Sequence, residues 1–327
     1  IGDAKILNPI LHADAASAAI VNHVFEGLLD LDEDLSLRGR LATDWEITEK
    51  AYLLVNVKSR FPDGMAVSGS ELLRRIQQGF TQPSLSEVSS HLTSLRLLPA
   101  HRHEAVVSVS IKNTNEKLSI ETVRVAINVP ERIEFTLDHV DQDLFTRLTP
   151  IIGEHYVEHF PPEPYISILS EVSPEIQTQL NAQYSDLLPV TEHNPQIVFH
   201  LRKGVTFHDG HEFDAGDVKF TYEAIMDPKN LSPRTSDFEP IKVVEAMDSH
   251  TVKVIYKRLY SPAINAWMMH ILPEHLLNLE AMNKEMNERG LSAEVRENFG
   301  MRDSEFNRHP IGSGRFRFVE WQGDEFI

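Results

Sequence analysis

The stretch that most constrains this chain is residues 201–226, LRKGVTFHDGHEFDAGDVKFTYEAIM, which reads as strand, tight turn and helix in succession. Just before and into it, residues 196–201 alternate apolar and polar, placing Ile197, Phe199 and Leu201 on one face of a half-buried strand. Lys203-Gly204 and Asp209-Gly210 are turn dipeptides, because glycine reaches positive φ without a Cβ clash. Asp214 stands three residues before Asp217, ahead of the helical spacing Val218, Tyr222, Ile225. Asp214 is therefore the predicted N-cap, and Asp217 meets the positive end of the helix dipole.

LRKGVTFHDG followed by AGDVKFTYEAIMDP closely resembles the signature of the family 5 extracellular solute-binding proteins, the peptide- and nickel-capturing components of bacterial ABC importers. Three more stretches agree in order: LNPIL…VFEGLLDLDEDLSLRGRLATDWEIT near the start, ILPEHLL at 271–277, and HPIGSGRFRFVEW at 309–321. Four segments in family order make the match specific. The resemblance makes Gly204, Phe207, Asp209, Gly210 and Asp217 a structural signature, with Asp209 bonding backbone amides beside Gly210. It implies an α/β fold with a mixed sheet, the first lobe of a periplasmic-binding type II architecture. The chain opens inside the family's first strand and stops after GSGRFRFVEW. The expectation is one lobe of two, with a leader cut away and the second lobe absent from this chain.

The chain departs from the family between WEIT and LRKG, where residues 49–195 intervene. The expected divisions are therefore 1–48 and 196–327 as parts of lobe I, with 49–195 an inserted or duplicated α+β subdomain. Duplication is readable because Phe61-Pro62-Asp63-Gly64 parallels Phe207-His208-Asp209-Gly210, and residues 70–76 parallel the helix opening at Gly216-Asp217. Strand-like 132–137 and helix-like 143–152 parallel 251–256 and 263–271. The alternative is one unrelated α+β insertion. Residues 101–110 and 119–129 read as strands, with a turn at Asn113-Thr114-Asn115, and Pro161–Pro164 breaks regular structure. Residues 173–180 read as a short helix. Residues 6–10 read as a strand remnant and 14–28 as a helix capped by Asp14 and ended near Gly27. Residues 261–271 and 278–298 read as helical, and 315–321 as a final strand.

With 31 Lys and Arg against 49 Asp and Glu, the net charge of −18 opposes a nucleic-acid or anionic-membrane partner. There is no cysteine, so disulfides and thiolate chemistry are excluded. No apolar run approaches the ~20 residues of a membrane span. Sixteen histidines invite a metal reading, above all His101 with His103, His155 with His159, and His208 with His211. No HExxH occurs, and the second pair runs into Pro161-Pro162, so no metal or cofactor is expected. His208 and Asp209 could form a general-base pair, but the family reading makes FHDG a turn. No GxSxG, SxxK or phosphate-cradling glycine loop is present, and a non-enzyme is expected.

The resemblance puts Phe25 and Glu26 at the mouth of a ligand cleft. The other reading makes Phe25 core and Glu26 a solvated or capping carboxylate. Trp267, Met268 and Met269 cannot all face one side of a helix, and Trp267 and Met269 are taken as the cleft candidates. The implied function is capture of peptides or similar small solutes by a monomeric, periplasmic or extracellular component. That component, with a lipid anchor left open, delivers them to an ABC permease. Nickel, heme, opines and sugars are competing ligands. A ligand-sensing or protein-interaction module built on the same fold is the alternative function.

Overall fold

The computed structural model describes residues 3–112, 118–157, 165–183 and 189–322. The first half of the chain runs through α1 (Ala15–Val24), β1 (Leu29–Leu31), β2 (Leu37–Gly39), β3 (Ala42–Leu54), α2 (Gly69–Gly79), α3 (Ser86–His91), β4 (Leu92–Leu98), β5 (His101–Lys112), β6 (Leu118–Val129) and β7 (Arg132–Leu137). Then follow α4 (Leu144–Ile152), β8 (Ile166–Ile168), α5 (Pro174–Gln183), β9 (Thr191–Leu201), α6 (Ala215–Met226), β10 (Ile241–Asp248) and β11 (Thr251–Tyr256). The fold is mixed α/β. It divides into two compact units: residues 1–47 with 195–327, and residues 48–194.

In the first unit β11 pairs antiparallel with both β9 and β10. Period-two alternation sends Ile197, Phe199, Val252 and Val254 inward, where they meet Val218 and Ile225 of α6 in one buried cluster. The cap of α6 forms as the residues dictate. The Asp214 carboxylate accepts from Gly216 N–H at 2.7 Å, and Asp217 accepts from Asp214 N–H at 2.9 Å.

In the second unit β7 pairs antiparallel with β3 and β4. Leu53, Ile133, Phe135 and Leu137 bury against Leu72 and Ile76 of α2 and Leu148 of α4. A separate ribbon of β5, β6 and β8 closes over Leu180 of α5. The two units share an internal plan. In each, a first strand leads through a glycine turn into a helix, and the last strand lies between the first and the middle one. Phe61 N–H bonds Met65 O at 2.8 Å as Phe207 N–H bonds His211 O at 2.8 Å. Gly64 and Gly210 stand at φ +84° and +92°. Ser68 caps α2 where Asp214 caps α6, and Leu72 is buried as Val218 is. These pairs share one register.

Several expected boundaries move. Helix α1 ends at Val24, ahead of Gly27, because Gly27 is needed elsewhere: a Cβ there would lie 2.5 Å from Met268 O. Residues 261–271 contain a 3-10 turn, Asn265–Met268, in place of a helix. His270 pairs with Gly27, and Ile271 N–H bonds Glu26 O at 2.9 Å, pulling the chain into an extended path. The expected helix 278–298 is two, Leu279–Glu288 and Ala293–Asn298, separated by Gly290 at φ +61°. Residues 315–321 form no strand ladder, and Phe316 N–H instead bonds His23 O at the end of α1. Residues 6–10 likewise form no strand; Leu7 N–H bonds Asn307 O. The predicted turn at 113–115 and the break at 161–164 lie outside the described residues.

Candidate functional site

The first unit contains a cavity of about 540 Å³ where three backbone segments approach closely. Its floor is the stretch from the end of α1 to β1. Gly27 packs against the carbonyl of Met268, and Gly312 and Gly314 pack against Val24 and His23 carbonyls, so any Cβ at these glycines would collide with backbone. The hairpin of β1 and β2 supplies the opposite wall through the register Asp30↔Arg38. Phe25, Met268 and Phe316 give the cavity an apolar side, and Glu26, Asp30, Arg38 and Arg40 give it alternating charge.

Two ion pairs organise that charge. Arg40 meets Glu26 at 2.6 Å with both side chains mostly buried, and Arg38 meets Asp30 at 2.8 Å nearer solvent. The hydrogen bond from Arg38 is the main cause holding the Asp30 carboxyl below its ordinary range. His270 lines the same cavity, and burial, reinforced by the like charges of His12 and Arg234, pushes its pKa down to about 4. The imidazole is neutral at pH 7. Together these groups offer a ligand an anionic partner, a cationic partner and an apolar surface within one cavity.

The sequence-predicted residues divide. Phe25 and Glu26 line the cavity. Phe25 is largely buried, with its ring 6.1 Å from that of Phe306, so it is floor as well as core. Trp267 does not line it, and the expectation that its ring faces a cleft is corrected. The ring is 2% exposed, lies 5.6 Å from Phe199 and 5.5 Å from Phe238, and its Nε1–H donates to Tyr256 Oη at 3.0 Å. A buried indole N–H needs an acceptor, and the one that exists is inside the core. Met269 is half-buried against the same core, and its neighbour Met268 is the one that lines the cavity. Arg38, Arg40, His270 and Phe316 were not anticipated. Only the opposite charges on either side of the Asp32-Glu33-Asp34 turn could have pointed to Asp30 with Arg38.

The signature turn adjoins the cavity lining at Gly314. Gly204 and Gly210 stand at φ +72° and +92°, and Phe207 is buried. Burial works against the Asp209 carboxylate, but bonds from His275 at 2.7 Å and His211 N–H at 3.1 Å outweigh it and hold its pKa low. His208 turns away and bonds Gly314 O at 2.8 Å, so His208 and Asp209 form no acid–base pair. His211 stacks on His275 at 3.8 Å, and His101 stacks on His103. His159 lies outside the described residues.

Asp217 carries a pH signature. Burial raises its pKa to about 6, although it accepts from Asp214 and Glu274 N–H groups. A raised folded pKa gives stability that is complete below the unfolded value near 3.8 and lost as pH rises through about 6. His270 is the mirror case, with stability present above 6.5 and lost as pH falls through about 4. Each is worth roughly 3 kcal/mol, with opposite sign across nearly one window. Urea unfolding between those limits should therefore show steeper, opposed pH dependences in Asp217→Asn and His270→Gln than in the wild type. Asp217→Asn leaves stability rising with pH, and His270→Gln leaves it falling. Parallel profiles for all three proteins would contradict the assignment.

Residues 188–327 match the family model described as bacterial extracellular solute-binding proteins, family 5 Middle. The oligopeptide-binding protein AppA of Bacillus subtilis is 36% identical over 132 residues, 39% of this chain and 21% of AppA. The glutathione-binding protein GsiB of Pectobacterium atrosepticum is 32% identical over 127 residues, again 39% of this chain and 21% of the relative. This chain thus spans about a fifth of the length of the relatives it matches. Among solved structures, NikZ from Campylobacter jejuni in complex with Ni(L-His) aligns over 97% of this chain and 31% of that one, at 20% identity and a TM-score of 0.42. No helix among the described residues is long and apolar enough to cross a membrane.

Proposed function

We propose that this chain, whose residues 188–327 belong to the family 5 extracellular solute-binding proteins, forms one ligand-binding lobe of an ABC importer's solute-binding component. The observation that carries this reading is the cavity with the Glu26–Arg40 and Asp30–Arg38 pairs beside Phe25 and Met268. The site is suited to a ligand bearing both an ammonium and a carboxylate group on an apolar body, as a short peptide does. Such a ligand exchanges its own charges into the two pairs, replacing internal contacts with charge-assisted hydrogen bonds. The protein works outside the cytoplasmic membrane, with or without a lipid anchor, and hands its cargo to a permease. Closure of a second lobe over the ligand supplies contacts that exist only in the shut state.

Residues 48–194 are read as a diverged copy of the strand–turn–helix–hairpin plan of the first unit, with β5, β6, β8 and α5 added. The shared strand order and the matched turn hydrogen bonds support that reading. Calorimetric titration with tri- to pentapeptides, and in parallel with Ni²⁺ and a histidine chelate of it, tests the ligand class. Saturable heats with peptides support the proposal, and heats with the nickel species alone reject the peptide assignment.

A further inference from the structure

We propose that the second unit carries a binding site for a borderline transition-metal ion, with zinc the type case, formed by His91, Asp138 and His139. One nitrogen from each imidazole and one carboxylate oxygen lie within 4.8 Å of one another. Both Nδ1 atoms face the same oxygen: His91 Nδ1 lies 2.8 Å and His139 Nδ1 3.4 Å from Asp138 Oδ1. Donors bound to one tetrahedral zinc at ~2.0–2.1 Å sit about 3.4 Å apart, so small side-chain rotations suffice to close the set.

The scaffold holds these groups in place. His91 ends α3 directly before β4, and Asp138-His139 directly follow β7. Strands β4 and β7 pair with Leu92 opposite Leu137, and Asp138 N–H bonds His91 O at 3.0 Å. The end of the β4–β7 ladder thus sets the bend residues Asp138 and His139 beside the last residue of α3, and the Asp138–His91 backbone bond ties the two together. The two rings are inclined at 54° with centroids 4.1 Å apart, so they do not stack face to face. His139 Nδ1 is itself buried, and its polar neighbour is the same Asp138 Oδ1 that His91 approaches, at the longer distance of 3.4 Å.

Two imidazoles and one carboxylate select among cations. Mg²⁺ and Ca²⁺ want oxygen donors, whereas zinc, nickel and copper accept imidazole nitrogen. Side-chain exposures of 43%, 52% and 39% leave the remaining coordination position to water. All three residues belong to the second unit.

The test is calorimetric titration of the metal-free protein with ZnCl₂, repeated on His91→Ala, His139→Ala and Asp138→Asn, with His101→Ala as a control. One saturable site is expected, weakened at least tenfold in each of the three variants and unchanged in the control. Circular dichroism checks that the variants fold, and Asp138→Asn keeps the side-chain shape should the alanine variants fail. The absence of saturable binding would overturn the proposal, as would binding that survives substitution of both histidines or that is lost in His101→Ala.

Discussion

Replacing Trp267 with alanine is expected to destabilise the protein by about 3–5 kcal/mol, the range for removing a buried tryptophan from a packed core. The indole fills space between Phe199 and Phe238 and supplies the donor that Tyr256 Oη accepts. Tyr256 keeps its own donation to Ala263 O at 2.8 Å, so the loss is mainly one of packing. Trp267→Phe should recover more than half of the stability, since a ring remains while the hydrogen bond goes. Urea unfolding measures both variants. Any loss of ligand affinity should track the fraction unfolded. A variant of near wild-type stability with selectively weakened binding would return Trp267 to the ligand site.

The second large effect is expected at the Glu26–Arg40 pair. Both side chains are less than a third exposed, so each charge depends on its partner more than a surface pair would. Truncating Arg40 to alanine leaves the Glu26 carboxylate without its cation, at a cost of about 1–3 kcal/mol. If a zwitterionic ligand exchanges into this pair, Arg40→Ala and Glu26→Gln should each weaken peptide affinity about 10–100-fold. The double variant should lose less than the product of the two, because the groups act as one unit. Calorimetry on the four proteins gives the coupling directly. Equal affinities throughout would remove the pair from the site.

What the residues revealed in advance was the local chemistry. The turn and helix at 204–226 were legible because a glycine at positive φ and an aspartate cap are set by neighbours within a few positions. The same logic exposed Gly64 and the start of α2. The direction in which Trp267 points was not legible, because a 3-10 turn has no helical face to read and its acceptor comes from β11. The early stop of α1 depends on backbone contacts between Gly27, Gly312, Gly314 and distant segments, which no local pattern encodes. Arg38 and Arg40 become site residues only once β1 and β2 pair and the hairpin folds back on Phe25 and Glu26. His91 and His139 were invisible for a related reason: they meet through the register of β4 on β7.

The most direct measurement of the central claim is native mass spectrometry of the protein purified from its own host, read for co-purified ligand. The account predicts a ladder of short-peptide masses released on activation, lost or depleted in Arg40→Ala. A single non-peptide species, or a protein that is always empty and takes up no added peptide, would contradict it.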